Sequence, residues 1–420
     1  MELPQKRLIF HIDVNSAFLS WESVHRLEQD PGVLDLRTIP SAVGGDQTSR
    51  HGIVLAKSTP AKQYGIVTGE PLAQALKKCP ELTIVSPHFD IYLKFSENLL
   101  HLLEEYTPDI EKFSIDEAFL DMTSTIHLFG DPIETANLIR EKINQKLGFT
   151  VNIGLSSNKL LAKMASDFEK PNRCHTLWEE EISAKMWPLP VRDLFFVGRS
   201  AEKKMQAIGI HTIGDLAHTN LQILKYHLGD KYSSQIFRYA NGIDDSPVAE
   251  KEPVSKGYSN EITLSQDVSD YDTACQVILS LCETVGIRLR KDNVQCNCVC
   301  VELKDWNFHA RSHQTTLDTP TDSTTILYQN ACRLLKEFWD LTPVRLISVR
   351  ASRISDDGFT QLSLFNSKRN QKLEQMDKAI DAIRGKYGID SIKRASFLTP
   401  GSIVDHASSK QKLPPGRSSP

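Results

Sequence analysis

The hydrophobic pattern opens on Leu8-Ile9-Phe10-His11-Ile12, an apolar run that predicts a buried strand ended by Asp13. Asn15 stands where an N-cap belongs, ahead of a helix through Trp21 and Val24. From Ala42 to Ser86 the pattern shortens. It gives a strand around Ile53 to Ala56, a helix begun by Ser58-Thr59-Pro60, turns at Gly65 and Gly69, and a helix over Leu72 to Lys77, together a small inserted subdomain. Tyr92 to Tyr106 is apolar at helical spacing, and Pro108 ends it before two strands, Glu111 to Ile115 and Ala118 to Met122, with Asp116 and Glu117 at the turn between them. A helix from Pro132 to Leu147, a strand from Thr150 to Leu155 and a helix from Asn158 into Phe168 continue the alternation, so one α/β domain fills most of residues 1–175.

Residues 190–240 read as short helices around Gly198, Gly209 and Gly214, in the manner of a helix-hairpin-helix. Gly242 to Ser255 has linker composition, and strands with two helices recur as far as about Arg353. Asp356-Asp357-Gly358 is expected to end the last folded domain, and the stretch from Lys410 to Pro420, rich in Pro and Ser, is expected to be disordered.

A chain of 420 residues exceeds a single core, which agrees with several domains. With 40% hydrophobic and 24% charged residues it has the composition of a soluble protein; it contains no membrane-length apolar run and no signal peptide, so a cytoplasmic location is expected. The eight cysteines form no CxxC pairs and read as reduced thiols. Cys296, Cys298 and Cys300, spaced by two, are expected on one face of a strand as small hydrophobes rather than as a zinc site. Net charge is −4, acidic up to residue 360 and basic beyond it, and no segment is a basic domain. Composition alone does not suggest nucleic acid.

The chemistry lies in the acids. Two-metal phosphoryl transfer needs carboxylates that hold two divalent cations about 4 Å apart, one for the attacking hydroxyl and one for the leaving phosphate. Asp13 at a strand end and Asp116 with Glu117 at a hairpin turn would converge if their strands are neighbours. Taken singly, Asp116 and Glu117 read as solvated turn residues and Asp13 as a residue ahead of a helix. Their flanks argue otherwise, since Phe113-Ser114-Ile115-Asp116-Glu117-Ala118-Phe119-Leu120-Asp121 sets an acidic pair between apolar strands.

The stretch from Ser114 to Asp121, together with Gly154-Leu155-Ser156-Ser157-Asn158-Lys159-Leu160-Leu161-Ala162-Lys163 and Lys170-Pro171-Asn172, resembles the Y-family translesion DNA polymerases, which include the bacterial DinB-like and UmuC-like enzymes. The resemblance spans about residues 6–365. It implies a multidomain α/β (α+β) right hand: palm in residues 1–17 and 83–175, fingers in 18–82, a helical thumb with its helix-hairpin-helix in 176–241, a linker in 242–254, an α/β little finger in 255–355, and a tail in 356–420. By the same resemblance Asp13, Asp116 and Glu117, with the main-chain carbonyl of Val14, ligate two Mg2+ ions, for which Mn2+ can substitute. Phe18 lies against the sugar of the incoming nucleotide, while Thr59, Lys62 and Lys170 meet its triphosphate. Thr59 stands where DinB-like enzymes have Tyr, Lys62 where they have Arg, and Arg173 where they have Gly; Lys62 leans toward the UmuC-like side.

A helix-hairpin-helix offers backbone N–H groups to DNA phosphates without reading bases, which assigns Gly198 and Arg199 to DNA, although Val197 takes the place of the first glycine. Gln361-Leu362-Ser363-Leu364-Phe365 resembles the bacterial sliding-clamp-binding peptide, with Gln361 setting register and Leu362, Leu364 and Phe365 filling a groove. The implied reaction is attack of a primer 3′-hydroxyl on a deoxynucleoside triphosphate, without proofreading. Primer-template DNA, deoxynucleoside triphosphates, the clamp and a mutagenesis accessory protein are the expected partners, and no membrane is among them. Two other readings stay open, a nucleotidyl cyclase and a non-catalytic DNA- and clamp-binding accessory derived from a polymerase.

Overall fold

The opening apolar run forms β1 (Ile9–Val14), in which only Asp13 is not fully buried. A computed structural model describes residues 7–45, 52–248, 255–355 and 367–397, and the chain divides into two compact units that meet in sequence near residue 253.

In the first unit β1 leads into α1 (Ala17–Gln29). The small subdomain follows as β2 (Ser41–Gly44), β3 (Val54–Lys57), α2 (Thr59–Gln63), α3 (Leu72–Lys78) and β4 (Thr83–Val85), whose strands pair in the order β3-β2-β4. Next come α4 (Phe89–Leu103), β5 (Ile110–Lys112), β6 (Glu117–Asp121), α5 (Pro132–Leu147), β7 (Val151–Ser156), α6 (Lys159–Ser166) and β8 (Cys174–Thr176). Their strands join β1 in a sheet ordered β5-β6-β1-β7-β8, with β1 central and antiparallel to both neighbours. Four short helices close the unit: α7 (Arg199–Gln206), α8 (Ile213–His218), α9 (Leu221–Leu228) and α10 (Asp230–Ala240). They share an apolar core with α6 through Leu160, Leu161 and Met164.

Two local expectations are corrected. Ser16, at φ 49°, and not Asn15, is the residue that caps α1, and it caps without a side-chain bond. Asn15 is buried and spent elsewhere: its amide donates to Asn152 Oδ1 at 3.2 Å, and its Oδ1 accepts from Thr150 Oγ1 at 3.0 Å and from the Asn172 N–H at 2.9 Å. An asparagine offers both donors and acceptors, so it can tie β1, β7 and the Lys170-Pro171-Asn172 loop together where a cap would use one oxygen. The fingers boundary also shifts. Trp21 of α1 stacks on Phe95 and meets Phe149 edge-on, while Leu19 packs with Leu36, Val43 and Ala56 of the small subdomain, so α1 lies between the two cores, and β4 pairs with β2 in the small sheet.

Gly154 sets how closely α6 lies against the sheet. A Cβ there would fall 1.9 Å from the Ala162 carbonyl oxygen and 2.4 Å from the Ser166 nitrogen, both backbone atoms that cannot swing aside. Gly154→Ala is therefore expected to destabilise the protein by about 3 kcal/mol or more, the upper end of overpacking costs, readable as a lowered denaturant midpoint. An unchanged midpoint would mean that α6 can retreat from the sheet.

The second unit runs β9 (Gly257–Val268), α11 (Tyr271–Lys291), β10 (Gln295–Asp305), β11 (Ala310–Thr321), α12 (Thr324–Phe338) and β12 (Val344–Ser355). Its antiparallel sheet, ordered β11-β10-β12-β9, packs against the two helices, the α/β arrangement expected of this region. The cysteines of β10 do not share one face. A register shift between Cys296 and Cys298 puts Cys296 in the helix-facing core with Val299 and Val301, whereas Cys300 alternates with those valines; all eight cysteines are free thiols.

The expected tail holds a further element, α13 (Ser367–Tyr387), followed by two single turns up to Phe397. Charge fastens it to the second unit. Asp377 accepts from the Thr324 N–H at 2.9 Å and faces Arg290, Asp381 takes the Arg290 guanidinium at 2.5 Å, and Glu283 of α11 receives Arg384 at 3.3 Å and Arg394 at 2.7 Å. Glu283, Asp377 and Arg384 are buried. The pentapeptide 361–365 and the stretch 410–420 lie outside the described residues.

Candidate active site

Asp13 and Glu117 are cross-strand partners, the last pair in the register of β1 with β6, and Asp13 also faces Asn152 on β7. Just beyond that pair the Val14 N–H donates to the Asp116 carbonyl at 3.0 Å, so the turn carrying Asp116 folds back onto the end of β1. The turn is short and self-bonded. Both the Phe113 and Ser114 N–H groups donate to the Glu117 carbonyl, and the Ser114 hydroxyl donates to Asp116 Oδ1 at 2.6 Å. Three carboxylates that are remote in sequence are thereby gathered at one end of the central strand, with Glu117 opening β6 rather than sitting in the turn.

Burial and mutual repulsion leave their mark on these acids. Burial pushes the Asp116 carboxyl above the usual carboxylate range, and the Asp13 charge adds to the shift. Glu117 is likewise raised by burial, an effect that the Lys163 ammonium opposes and Asp13 reinforces. Two lysines offset the acids: Lys170 Nζ reaches Asp13 Oδ1 at 3.0 Å and Asp167 at 2.8 Å, and Lys163 Nζ reaches Glu117 Oε1 at 2.6 Å. Beneath them His11 is fully buried and held neutral, first by burial and then by Lys163, Lys170 and Lys159. Its Nδ1 lies 2.7 Å from Ser166 Oγ, whose own proton goes to the Lys163 carbonyl, so Nδ1 is the protonated nitrogen.

The carboxylates are hard oxygen donors gathered in one place, the chemistry that suits Mg2+. Among the described residues, however, no three acidic, His or Cys side chains already stand at coordination spacing. The acids are clustered, and their oxygens are engaged by Lys170, Lys163 and Ser114.

The other expected residues fall into two groups. Lys170 is beside Asp13, as a triphosphate contact would be. Phe18 is half-buried and stacked on Tyr92 at 5.0 Å, with Phe89 edge-on at 6.0 Å, so it belongs to the palm's aromatic core and also borders the small sheet. Thr59 and Lys62 lie exposed on α2, and no hydrogen bond among the described residues links them to the acids. Burial lowers the ammonium of Lys57, which sequence reading passed over, and the nearby Lys62 charge adds to that shift. Gly198 is exposed as the N-cap of α7, with open space where a Cβ would stand, and Arg199 is exposed beside it.

Lys163 was legible only as part of a motif. Every residue of α6 from Leu160 to Ser166 is buried, and a lysine inside such a run is seldom tolerated without a partner, which was the available signal.

Comparison with known proteins matches this architecture segment by segment. The impB/mucB/samB family profile covers residues 12–167, its C-terminal domain profile covers 255–364, and a thumb-domain profile described for DNA polymerase-iota covers 192–244. The DNA polymerase IV of Clostridium acetobutylicum is 44% identical over 392 residues, 93% of this chain and 98% of that protein. DNA polymerase IV 1 of Bacillus subtilis is 35% identical, covering 94% of each. Among solved structures, the Y-family DNA polymerase chimera Dbh-Dpo4(243-245)-Dbh superimposes with a TM-score of 0.72 over 83% of this chain and 99% of its own, a likeness of fold at 24% identity. With its acids gathered at one end of the central palm strand and its domains matched in order, the chain belongs to the Y family of bacterial translesion DNA polymerases.

Proposed function

We propose that Asp13, Asp116 and Glu117, with the Val14 carbonyl, hold two Mg2+ ions, or Mn2+ in their place, for the family's template-directed DNA synthesis. The observation that carries this reading is the Asp13–Glu117 cross-strand pair, with the Asp116 carbonyl bonded to the very next backbone N–H of β1. Bound there, the ions would supply charge to the attacking 3′-hydroxyl and to the leaving phosphates. The chain's own groups do the rest. Ser114 holds the Asp116 carboxylate in one orientation, and Lys170, on the Asp13 side, receives phosphate oxygens as a point charge, with Lys62 on α2 as its counterpart. On the thumb, the exposed N-terminus of α7 at Gly198 and Arg199 suits a DNA phosphate and needs no basic domain.

Primer extension tests this reading, using purified protein, Mg2+ and each triphosphate separately on undamaged and lesion-bearing templates. Template-matched addition is expected on both. Template binding with no addition would favour the non-catalytic accessory, and cyclic nucleotide made without template would favour a cyclase.

Phe18 is the proposed sugar gate. Removing its ring opens the space that a 2′-hydroxyl needs, so Phe18→Ala should relax discrimination against ribonucleotides by about 100-fold, a typical worth for a steric pocket wall. Comparing kcat/KM for ribo- and deoxyribonucleotides checks this, and an unchanged ratio would leave Phe18 as a palm-core residue stacked on Tyr92.

The sliding clamp is proposed as a partner through Gln361, Leu362, Leu364 and Phe365. The support is the likeness of this pentapeptide to clamp-binding peptides and its position directly after the little-finger strands.

A further inference from the structure

Lys163 is held by more than the carboxylate it touches. Its ammonium, 2.6 Å from Glu117 Oε1, also lies 5.4 Å from the ring centroid of Phe113 and 5.4 Å from that of Phe195. The two rings meet at 6.0 Å and 59°, forming two walls of a cage around a side chain that is only 10% exposed. Phe113 comes from the turn that carries Asp116, whereas Phe195 lies in the segment matched by the thumb profile. Phe195 is in turn fixed by the thumb: its ring meets Phe196 at 4.4 Å and stacks on Tyr239 of α10 at 6.4 Å. The Tyr232 hydroxyl donates to the Phe196 carbonyl at 3.0 Å, and Gly198, the exposed cap of α7, follows two residues later.

A desolvated ammonium between aromatic faces is attracted to both, which fixes where it stands. Because it hydrogen-bonds one oxygen of Glu117, it also fixes how that carboxylate is turned. We propose that Lys163 is a positioning residue, caged by Phe113 of the palm and Phe195 of the thumb, which aims Glu117 and so makes the metal affinity of the palm depend on how the thumb is seated. The contact gives the thumb a physical route to the acids: a shift of Phe195, three residues before the Gly198–Arg199 helix N-terminus proposed to bind DNA phosphate, moves one wall of the cage. This inference rests on the assignment of the acids to metal.

The test reads metal binding without chemistry. Mn2+ is titrated by electron paramagnetic resonance against protein holding a dideoxy-terminated primer-template and the matching triphosphate. Lys163→Met is expected to weaken Mn2+ binding about tenfold or more, the usual effect of losing a group that orients a ligand. Lys163→Arg should stay within about threefold of wild type, because a guanidinium stacks on aromatic faces and still donates to a carboxylate. Phe195→Leu, which touches no acid, should weaken Mn2+ binding by about threefold with primer-template affinity unchanged. Unchanged or tighter Mn2+ binding in Lys163→Met would overturn the proposal, leaving the ammonium as a competing cation, and so would an Arg variant as weak as the Met one. Should Lys163→Met fail to fold, the Phe195→Leu result decides. Asp116→Ala is the control: if it too binds Mn2+ normally, the metal assignment itself fails, whereas weak binding there with normal binding in Lys163→Met rejects the positioning role alone.

Discussion

Asp116→Ala should lower nucleotide addition by about a thousandfold or more while leaving primer-template affinity and folding nearly intact. The local structure explains the separation. The bonds that hold the turn in place run through backbone atoms, from the Val14 N–H to the Asp116 carbonyl and from Phe113 and Ser114 to the Glu117 carbonyl, and an alanine keeps all of them. Only the Ser114 hydroxyl loses a partner, and it sits in a half-buried position open to water. Removing a carboxylate that burial and Asp13 both disfavour takes away repulsion as well, so thermal stability should hold or rise slightly. What is lost is one of the three acids proposed to hold the metals. Single-turnover extension measures the loss, and fluorescence anisotropy with labelled primer-template measures the binding. Extension within tenfold of wild type would remove Asp116 from the metal site, and a parallel loss of DNA affinity would make it a folding residue.

Replacing Leu364 and Phe365 together by Ala should abolish stimulation by a bacterial sliding clamp and leave single-nucleotide addition unchanged. Anchor side chains in a peptide-groove interface typically contribute about 2 kcal/mol each, so losing both costs about 4 kcal/mol, a thousandfold in affinity if the two add. In sequence the pentapeptide stands between the last little-finger strand, which ends at Ser355, and the ion pairs of α13, which begin at Asp377. The consequence is large because tethering acts through effective concentration: a polymerase attached to a ring around DNA returns to the same primer end without any new contact at its acids. Product length per binding event, with and without loaded clamp, is the measurement. Equal stimulation of wild type and double mutant would refute the clamp peptide, and loss of basal addition would show that the segment supports the fold.

What could be read in the sequence follows from which interactions write a pattern. The acidic cluster was legible because Asp13 breaks one apolar run and Asp116 and Glu117 stand between two others, and their convergence follows once β1 pairs with β6. The nucleotide roles proposed for Phe18 and Lys170 come only through resemblance, since an aromatic on a first helix and a lysine before a proline have many ordinary fates. Asn15 was misread because its type fits a cap and a three-way hydrogen-bond hub equally well, and only the approach of β7 and the Asn172 loop decides between them. The helix α13 was missed for a different reason. Its attachment runs through Asp377, Asp381 and Arg384, so it carries no apolar stripe, and Met376 and Ile383 are exposed. The register shift in β10 is invisible to a period-two reading because it breaks that period.

The charges that fasten α13 have a consequence for how this enzyme responds to ionic strength. Mobile ions screen charges that face water, and Glu283, Asp377 and Arg384 do not. Phosphate contacts on DNA are screened and also release counterions, so they weaken steeply as salt rises. A decline in synthesis with added potassium chloride should therefore report release of the nucleic acid, while proteolytic cleavage within α13 should stay at its low-salt rate across the same range. Salt thus separates two modes of failure that a single activity assay would merge.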